Sequence, residues 1–244
     1  MIETGFILFE RTDEVSTWAA TARSEAERLL VNPIPDMLRH GGTWYVGVDA
    51  LPSDEQGRIN GIPLQGPWQE MVPDLPLHPA QLSVIYSGYP KKDKDTTDAA
   101  HNYRIKRDAA HVDGLLGSSK ERFLKEPHAY VLGIALTDAT TCPLVVYPGS
   151  HDIMQDAFMV AFAGMPPSTW SEINISEIYR DARAEVFEVC ERVELPMKAG
   201  QSVLLHRMMV HGIAPESNQK VPSEGRMIAY FRPQLADVRE WLRH

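Results

Sequence analysis

Cysteine is nearly absent. The chain has two, Cys142 and Cys190, in 244 residues, both in apolar or strand-like surroundings and with no partner at CxxC spacing. That excludes a disulfide framework or a zinc knuckle as the basis of the fold, and both read as buried thiols. Long apolar runs are missing too. The longest, "AYVLGIAL" and "SVLL", fall far short of the roughly 20 residues that span a bilayer, and "MIETGFILFERTDE" lacks a basic start ahead of its apolar stretch. The expectation is a soluble, unexported, cytoplasmic protein with no membrane partner. Positive charge is in deficit: a net charge of −9 repels a phosphate backbone, which excludes nucleic acid as the expected partner. No fixed-period repeat is present, and the strand-like runs do not alternate regularly with helices as a βαβ sheet requires.

What is present is enough apolar residue, 43 % of the chain, to bury a full core, and residues 1–244 read as one domain. Thr12 is placed as an N-cap, with Asp13 and Glu14 in the first turn. Val15, Trp18, Ala19, Ala22, Ala26, Leu29 and Leu30 follow at helical spacing. This predicts one amphipathic helix, stopped by the prolines of "NPIP". Short β-type runs follow, "TWYVGVD", "QLSVIYSGY", "AYVLGIAL", "PLVVY", "RVELPM", "QSVLLHRMMV" and "RMIAYF", separated by Gly, Pro, Asp and Ser clusters. A looser helical zone near residues 152–188 is broken by "GMPPS" and reads as an insertion between strands. "PKKDKDTTDAAHN", residues 90–102, reads as a charged mobile loop, either a solvated surface or a substrate lid. Gly41 and Gly42 beside Trp44 and Tyr45 read first as a strand start with packed aromatics, second as a pocket wall.

The chemistry sits in two distant pieces. In "HVDGLL", His111 and Asp113 are two apart, so on an extended strand both side chains leave the same face. His111-x-Asp113 is too short to carry weight alone. "KAGQSVLLHRMMVHG" ends an apolar strand on His211, and His206, five residues earlier, falls on the opposite face by alternation and is assigned to structure. Together His111, Asp113 and His211 form a two-His, one-carboxylate facial triad, which leaves three cis positions open and suits iron(II) oxygenases. Catalytic zinc uses the same ligand types. Arg226, at the start of "RMIAYF", tips the reading to iron. A buried guanidinium needs an anion, the strand supplies none, and a carboxylate of 2-oxoglutarate fits. Arg232, six residues on and followed by Pro233, is expected to reach solvent.

In this order "HVDG", "PLVVYPGSH", "AGQSVLLHRMMVHG" and "RMIAYF" resemble the motifs of the phytanoyl-CoA dioxygenase-like family of iron(II)- and 2-oxoglutarate-dependent oxygenases, over about residues 100–235. The resemblance implies a double-stranded β-helix, a jelly-roll of two facing sheets, mainly β with the N-terminal helix packed outside. It implies metal-ligand and catalytic roles for His111, Asp113 and His211, and an oxoglutarate role for Arg226. His151 in the "PGSH" turn is structural. It also implies Fe(II), 2-oxoglutarate and O2 as reactants, with succinate and CO2 released as a small substrate is hydroxylated. Asp113 fills the carboxylate position, so no site is vacated for a halide.

Two positions depart from the family pattern. Ile213 stands where a Ser or Thr often helps hold the oxoglutarate carboxylate, and Gln201 where an Asp is common. The missing hydroxyl is sought in Tyr130 or Thr137 on the neighbouring strand. Arg104 and Arg107 in "NYRIKRDAAH" either hold a carboxylate-bearing substrate or form a solvated charged strand edge. The rival function is a zinc-loaded or non-redox cupin-like binding protein or hydrolase, which leaves Arg226 unexplained.

Overall fold

The computed structural model describes residues 3–118 and 121–243. In chain order it runs β1 (Phe6–Phe9), α1 (Asp13–Leu29), β2 (Leu38–Arg39), β3 (Trp44–Gly47), β4 (Gln81–Ile85), α2 (Asp98–Lys106), β5 (Leu115–Leu116) and β6 (Phe123–Leu124). It continues through β7 (Tyr130–Ala135), β8 (Ala139–Val146), α3 (Ser150–Phe162), α4 (Ser176–Val189), β9 (Val193–Met197), β10 (Ser202–His206), β11 (His211–Ile213) and β12 (Arg226–Phe231). Seven strands make one antiparallel sheet in the order β1, β10, β7, β12, β4, β3, β2; three make a second, β11, β8, β9; β5 and β6 pair as a ribbon.

Period-two alternation sorts these strands into layers. Val131 and Ala135 of β7, Val203 and Leu205 of β10, and Ile228 and Tyr230 of β12 meet Leu144 and Val146 of β8 and Leu195 and Met197 of β9 between the two sheets. The alternate residues, Leu132 and Ile134, Leu204, Met227, Ala229 and Phe231, with Leu82 and Val84 of β4, turn outward under Val15, Trp18, Ala19, Ala22 and Ala26 of α1. On the far side of the small sheet, Val145 and Tyr147 pack with Met154, Phe158 and Phe162 of α3 and Tyr179, Ala182 and Val186 of α4. The result is an open jelly-roll of two facing sheets between helices, with the helical insertion split as expected after Phe162.

Helix α1 starts where its sequence says. Thr12 Oγ1 accepts from the Val15 amide, and Trp18, fully buried, donates its indole N–H to the Gly57 carbonyl at 2.7 Å. Burial of this stripe, about 1.5–3 kcal/mol for each large apolar side chain, fixes the helix to the sheet. Leu29 is exposed and ends the stripe. No helix among the described residues is long and apolar enough to cross a membrane.

Four local expectations are corrected. "QSVLLHRMMV" is not one strand: β10 ends at His206, and β11 begins at His211 in the other sheet. A turn closed by Met209 N–H to the His206 carbonyl intervenes, so the alternation count between the two histidines does not apply. The second half of the 90–102 loop is helical, because Thr97 caps Ala100 and opens α2, which puts Arg104 on a helix and Arg107 at its C-terminal cap. Asp113 lies in a turn just before β5. Of the two thiols, Cys142 is buried and Cys190 half-buried.

Glycine is required at position 212 by close approach. A Cβ there would stand 2.2 Å from the Asp108 carbonyl oxygen and 2.9 Å from Ala110 Cα, so β11 lies directly on the segment that carries His111. Gly212→Ala is expected to cost about 1–3 kcal/mol as an overpacking change. Read by thermal denaturation, that is about 2–4 °C per kcal/mol for a chain of this size. An unchanged melting temperature would mean the two segments are less tightly joined than described.

Candidate metal centre and its cavity

His111 and His211 are paired by their own backbones. His111 N–H donates to the His211 carbonyl at 2.8 Å and His211 N–H to the His111 carbonyl at 3.0 Å, an antiparallel bridge that sets the two rings 5.2 Å apart. Each ring is then turned the same way: Nδ1 of His111 lies 3.1 Å from the Ala109 carbonyl and Nδ1 of His211 2.9 Å from that of Met209. An Nδ1–H donated to a carbonyl turns Nε2 to the centre, where it donates to Asp113 while it carries a proton and offers its lone pair to a metal once it does not, the arrangement of a metal-ligating imidazole.

Between the two Nε2 atoms sits Asp113, whose Oδ1 is 3.2 Å from His111 and Oδ2 3.6 Å from His211. One donor atom from each residue lies within 4.8 Å of the others. Metal–ligand bonds of about 2.0–2.2 Å put cis donors roughly 3 Å apart, so the three donors must draw together from within 4.8 Å to close on a divalent ion. Burial works against ionisation of Asp113. Arg232, His211 and the hydrogen bond from His111 nonetheless hold its carboxyl well below the usual range. For His211, burial disfavours the charged ring, but Asp113 outweighs it and the pKa is raised.

The segment carrying the first two ligands is tied from three directions. Asp108, buried, takes two hydrogen bonds from Arg192 at 2.7 and 2.8 Å and a third from the Tyr147 hydroxyl. The Asp108 carbonyl accepts from Ile213 N–H. Between the ligands, Val112 N–H donates to Tyr179 Oη of α4.

The triad opens into an inner cavity of about 140 Å3 walled by Trp44 and Val46 of β3, Gln81 and Ser83 of β4, Tyr89, and Leu144. Tyr230 and Arg232 close it from the β12 side. Trp44 is therefore a pocket wall, the second of its two readings, while Tyr45 packs outward into the core. Arg232 is only partly exposed and turns toward the site. Its Nη1 is 3.3 Å from Asp113 Oδ2, and Nη2 donates to Gln81 Oε1. Arg226 is fully buried on the central strand β12, and Nε, Nη1 and Nη2 all lack a hydrogen-bond acceptor. It does not itself line the cavity, but Tyr89 and Tyr230 do. Burial raises both phenol pKa values and the Arg226 charge opposes that rise.

Two expected residues are not brought here. Tyr130 falls on the outward face of β7, with Leu132 and Ile134, and lines a separate cavity with Leu64, Trp68 and Asp74. Thr137 lies past the end of β7, and its hydroxyl is used to accept from Met227 N–H at 2.8 Å, which ties down the first turn of backbone after Arg226. The hydroxyl residues lining the cavity are Tyr89, Tyr230 and Ser83, the last already accepting from the Trp44 indole. Tyr230 was findable, being four residues from Arg226 on the same strand face.

The family model for phytanoyl-CoA dioxygenase (PhyH) matches residues 79–221, more than half the chain. The chain belongs to the phytanoyl-CoA dioxygenase family. Membership makes it an oxygenase-type enzyme and places its family region across β4 to β11. No curated protein sequence matches it. Among solved structures it is similar to the epimerase SnoN in complex with Fe3+, alpha ketoglutarate and nogalamycin RO. The TM-score is 0.52 and the identity 18 %, over 96 % of this chain and 80 % of that one. The non-heme alpha ketoglutarate dependent carbocyclase SnoK from nogalamycin biosynthesis gives 0.50 and 16 %, over 96 % and 81 %. At these identities the likeness is one of fold.

If the triad holds a metal, His111→Ala and His211→Ala each remove one of three protein ligands, and cobalt(II) or iron(II) binding at micromolar metal should vanish. The fold should survive, as checked by circular dichroism and thermal melting. Metal bound by either variant as tightly as by the parent would dismiss the triad.

Proposed function

We propose that the chain is an iron(II)- and 2-oxoglutarate-dependent dioxygenase that hydroxylates a small, carboxylate-bearing substrate and releases succinate and CO2. The observation that carries this reading is the Arg226 guanidinium, buried on a central strand with no anionic partner and no acceptor in good hydrogen-bond geometry, the Tyr230 phenol lying close by. An uncompensated buried charge is costly enough that a fold keeps one only where an anion arrives to meet it. A zinc hydrolase or a simple binding module has no use for it.

On this reading His111, Asp113 and His211 hold iron, and Arg226 takes the far carboxylate of 2-oxoglutarate as a bidentate clamp. Bound iron(II) and 2-oxoglutarate supply the activation of O2 that oxidises a C–H bond. The chain's own residues do the rest. The Ala109 and Met209 carbonyls fix the imidazoles, and Arg232 holds Asp113 in its ligating rotamer. Leu144, Ile213 and Trp44 keep the cavity apolar. Tyr89 and Tyr230 lie between the cavity and the field of Arg226, and their phenols would supply the hydroxyl that Ile213 lacks. Arg104 and Arg107 flank a larger cavity that shares His111 with the inner one, and bind the substrate carboxylate.

The deciding test is anaerobic. Iron(II) followed by 2-oxoglutarate should produce the weak visible charge-transfer band of a chelated 2-oxo acid, which a zinc protein cannot give. In the same titration, Arg226→Ala should weaken 2-oxoglutarate by about 2–4 kcal/mol, roughly 30-fold to 1,000-fold, from the loss of two charge-assisted bonds. Arg226→Lys should fall between, because the charge returns without the fork. An unaltered dissociation constant in Arg226→Ala would move the role to Arg232 or remove it.

Neutral substitution of Arg104 or Arg107 should raise KM for substrate-stimulated turnover while uncoupled oxoglutarate consumption stays nearly intact. Equal loss of both activities would instead place that arginine at the cosubstrate.

A further inference from the structure

Beyond the triad lies an outer cavity of about 840 Å3 that shares Trp44, Val46, Ala109 and His111 with the inner one. Its walls carry Arg39, Arg104, Arg107, Arg122 and Arg183, against one carboxylate, Asp93. Among the described residues no carboxylate lies within 4.0 Å of any of these five guanidiniums. In a chain of net charge −9, a concave surface with that balance is not what an ordinary solvated face provides.

The arginines are also held in place, by neutral groups. Arg104 Nη1 lies 3.1 Å from His40 Nδ1. Burial first, and then the Arg104 charge, push the pKa of His40 down to about 4, so the ring is neutral at pH 7 and accepts. Asp93 stands 3.6 Å from that same nitrogen and not on a guanidinium. Arg107 donates to the Phe187 carbonyl and lies over the Phe187 ring at 4.4 Å; Arg183 lies over the same ring at 5.4 Å. The Tyr103 and Tyr179 phenols steady Arg183 further. Two cations that share one aromatic ring, with Arg104 a turn back along α2 in the same cavity wall, repel one another and are preorganised for an anion of more than one charge.

We propose that this outer cavity seats a doubly charged anionic group of the substrate, a phosphate ester or a dicarboxylate, gripped by Arg104 and Arg107 from α2 and Arg183 from α4, with the carbon to be oxidised directed past His111 toward the triad. It rests on the proposed oxygenase reading for the word substrate, and narrows the carboxylate of that reading to a dianion.

The test needs no metal. Inorganic phosphate, and separately malonate, is titrated calorimetrically into the metal-free full chain in low-salt buffer. One saturable site per chain is expected, weakened about tenfold or more by Arg104→Gln and by Arg183→Gln, the loss of a charge-assisted contact in each case. Arg183→Lys should recover part of the loss, and thermal melts check that each variant is folded. Arg58→Gln, whose partner is Asp54 on another face, should leave the affinity within about twofold, and Arg226→Gln, at a residue buried on β12, shows whether the anion is taken there instead. Tighter phosphate supports a phosphate ester and tighter malonate a dicarboxylate. Acetate binding as well as either, no saturable binding at all, or binding lost only in Arg226→Gln would overturn the proposal. The oxoglutarate band is read on a separate, iron-loaded sample, so its failure and the failure of the anion site are seen independently.

Discussion

Two backbone hydrogen bonds between His111 and His211 bring together residues a hundred positions apart, and everything at the metal centre depends on that bridge. It cannot sustain itself. Closing a loop of that length costs on the order of 4 kcal/mol in chain entropy, and two net hydrogen bonds return about 1–3 kcal/mol. The difference comes from the surroundings. Gly212 lets β11 lie against the His111 segment, Asp108 is fastened by Arg192 and Tyr147, and α3 and α4 bury the outer face of the small sheet. The ligands are thus placed by the packing of residues that touch no ligand, and the site's precision is a property of the helical insertion as much as of the strands.

Charge makes the second constraint. At and behind the inner cavity stand Arg226, Arg232 and Asp113, with Asp108 neutralised by Arg192, one positive charge in excess in a partly buried region. A divalent cation alone increases that excess, and a dianion alone reverses it. Bound together they leave it where it began. On the proposed reading, metal and 2-oxoglutarate therefore favour one another's binding beyond the direct bond between them, since each offsets the electrostatic cost of the other.

Much of this was legible in the chain. The α1 stripe, the core strands and the spacing of His111, Asp113 and His211 depend on local periodicity and on short motifs, which a sequence states directly. The break between His206 and His211 was not legible, because "LLHRMMV" is apolar throughout and apolar content alone does not distinguish one strand from two strands in different sheets joined by a turn. Tyr130 was misplaced because its strand was known but not which face it showed. β7 is apolar at every position, so alternation left no mark. The proline after Arg232 reads as a strand end at solvent, and Arg232 does stay partly exposed, but β12 is central, so the guanidinium at its end comes within 3.3 Å of Asp113. The α2 helix was hidden by composition: half its residues are polar or charged, and its cap, Thr97, sits in a run that reads as loop.

The two cavities differ in what builds them, and that difference organises the chemistry. The inner one is walled mainly by strands of the two sheets and their end segments, rigid elements that hold ligands to a few tenths of an ångström. Of the outer one's five arginines, Arg104, Arg107 and Arg183 come from α2, its C-terminal cap and α4, which lie against the sheets and not within them. A change in the arginines there alters what is gripped without disturbing the His111–His211 bridge, apart from the one tie of Tyr179 to Val112. That tie is where the halves meet: α4 carries Tyr179 and Arg183 one turn apart, so an anion drawn against Arg183 bears on the helix turn that fixes the backbone between His111 and Asp113. On the proposed reading, substrate seating and ligand geometry are in this way coupled through a single helical turn, and the close backbone approach at Gly212 leaves the His111 segment little room to move toward β11.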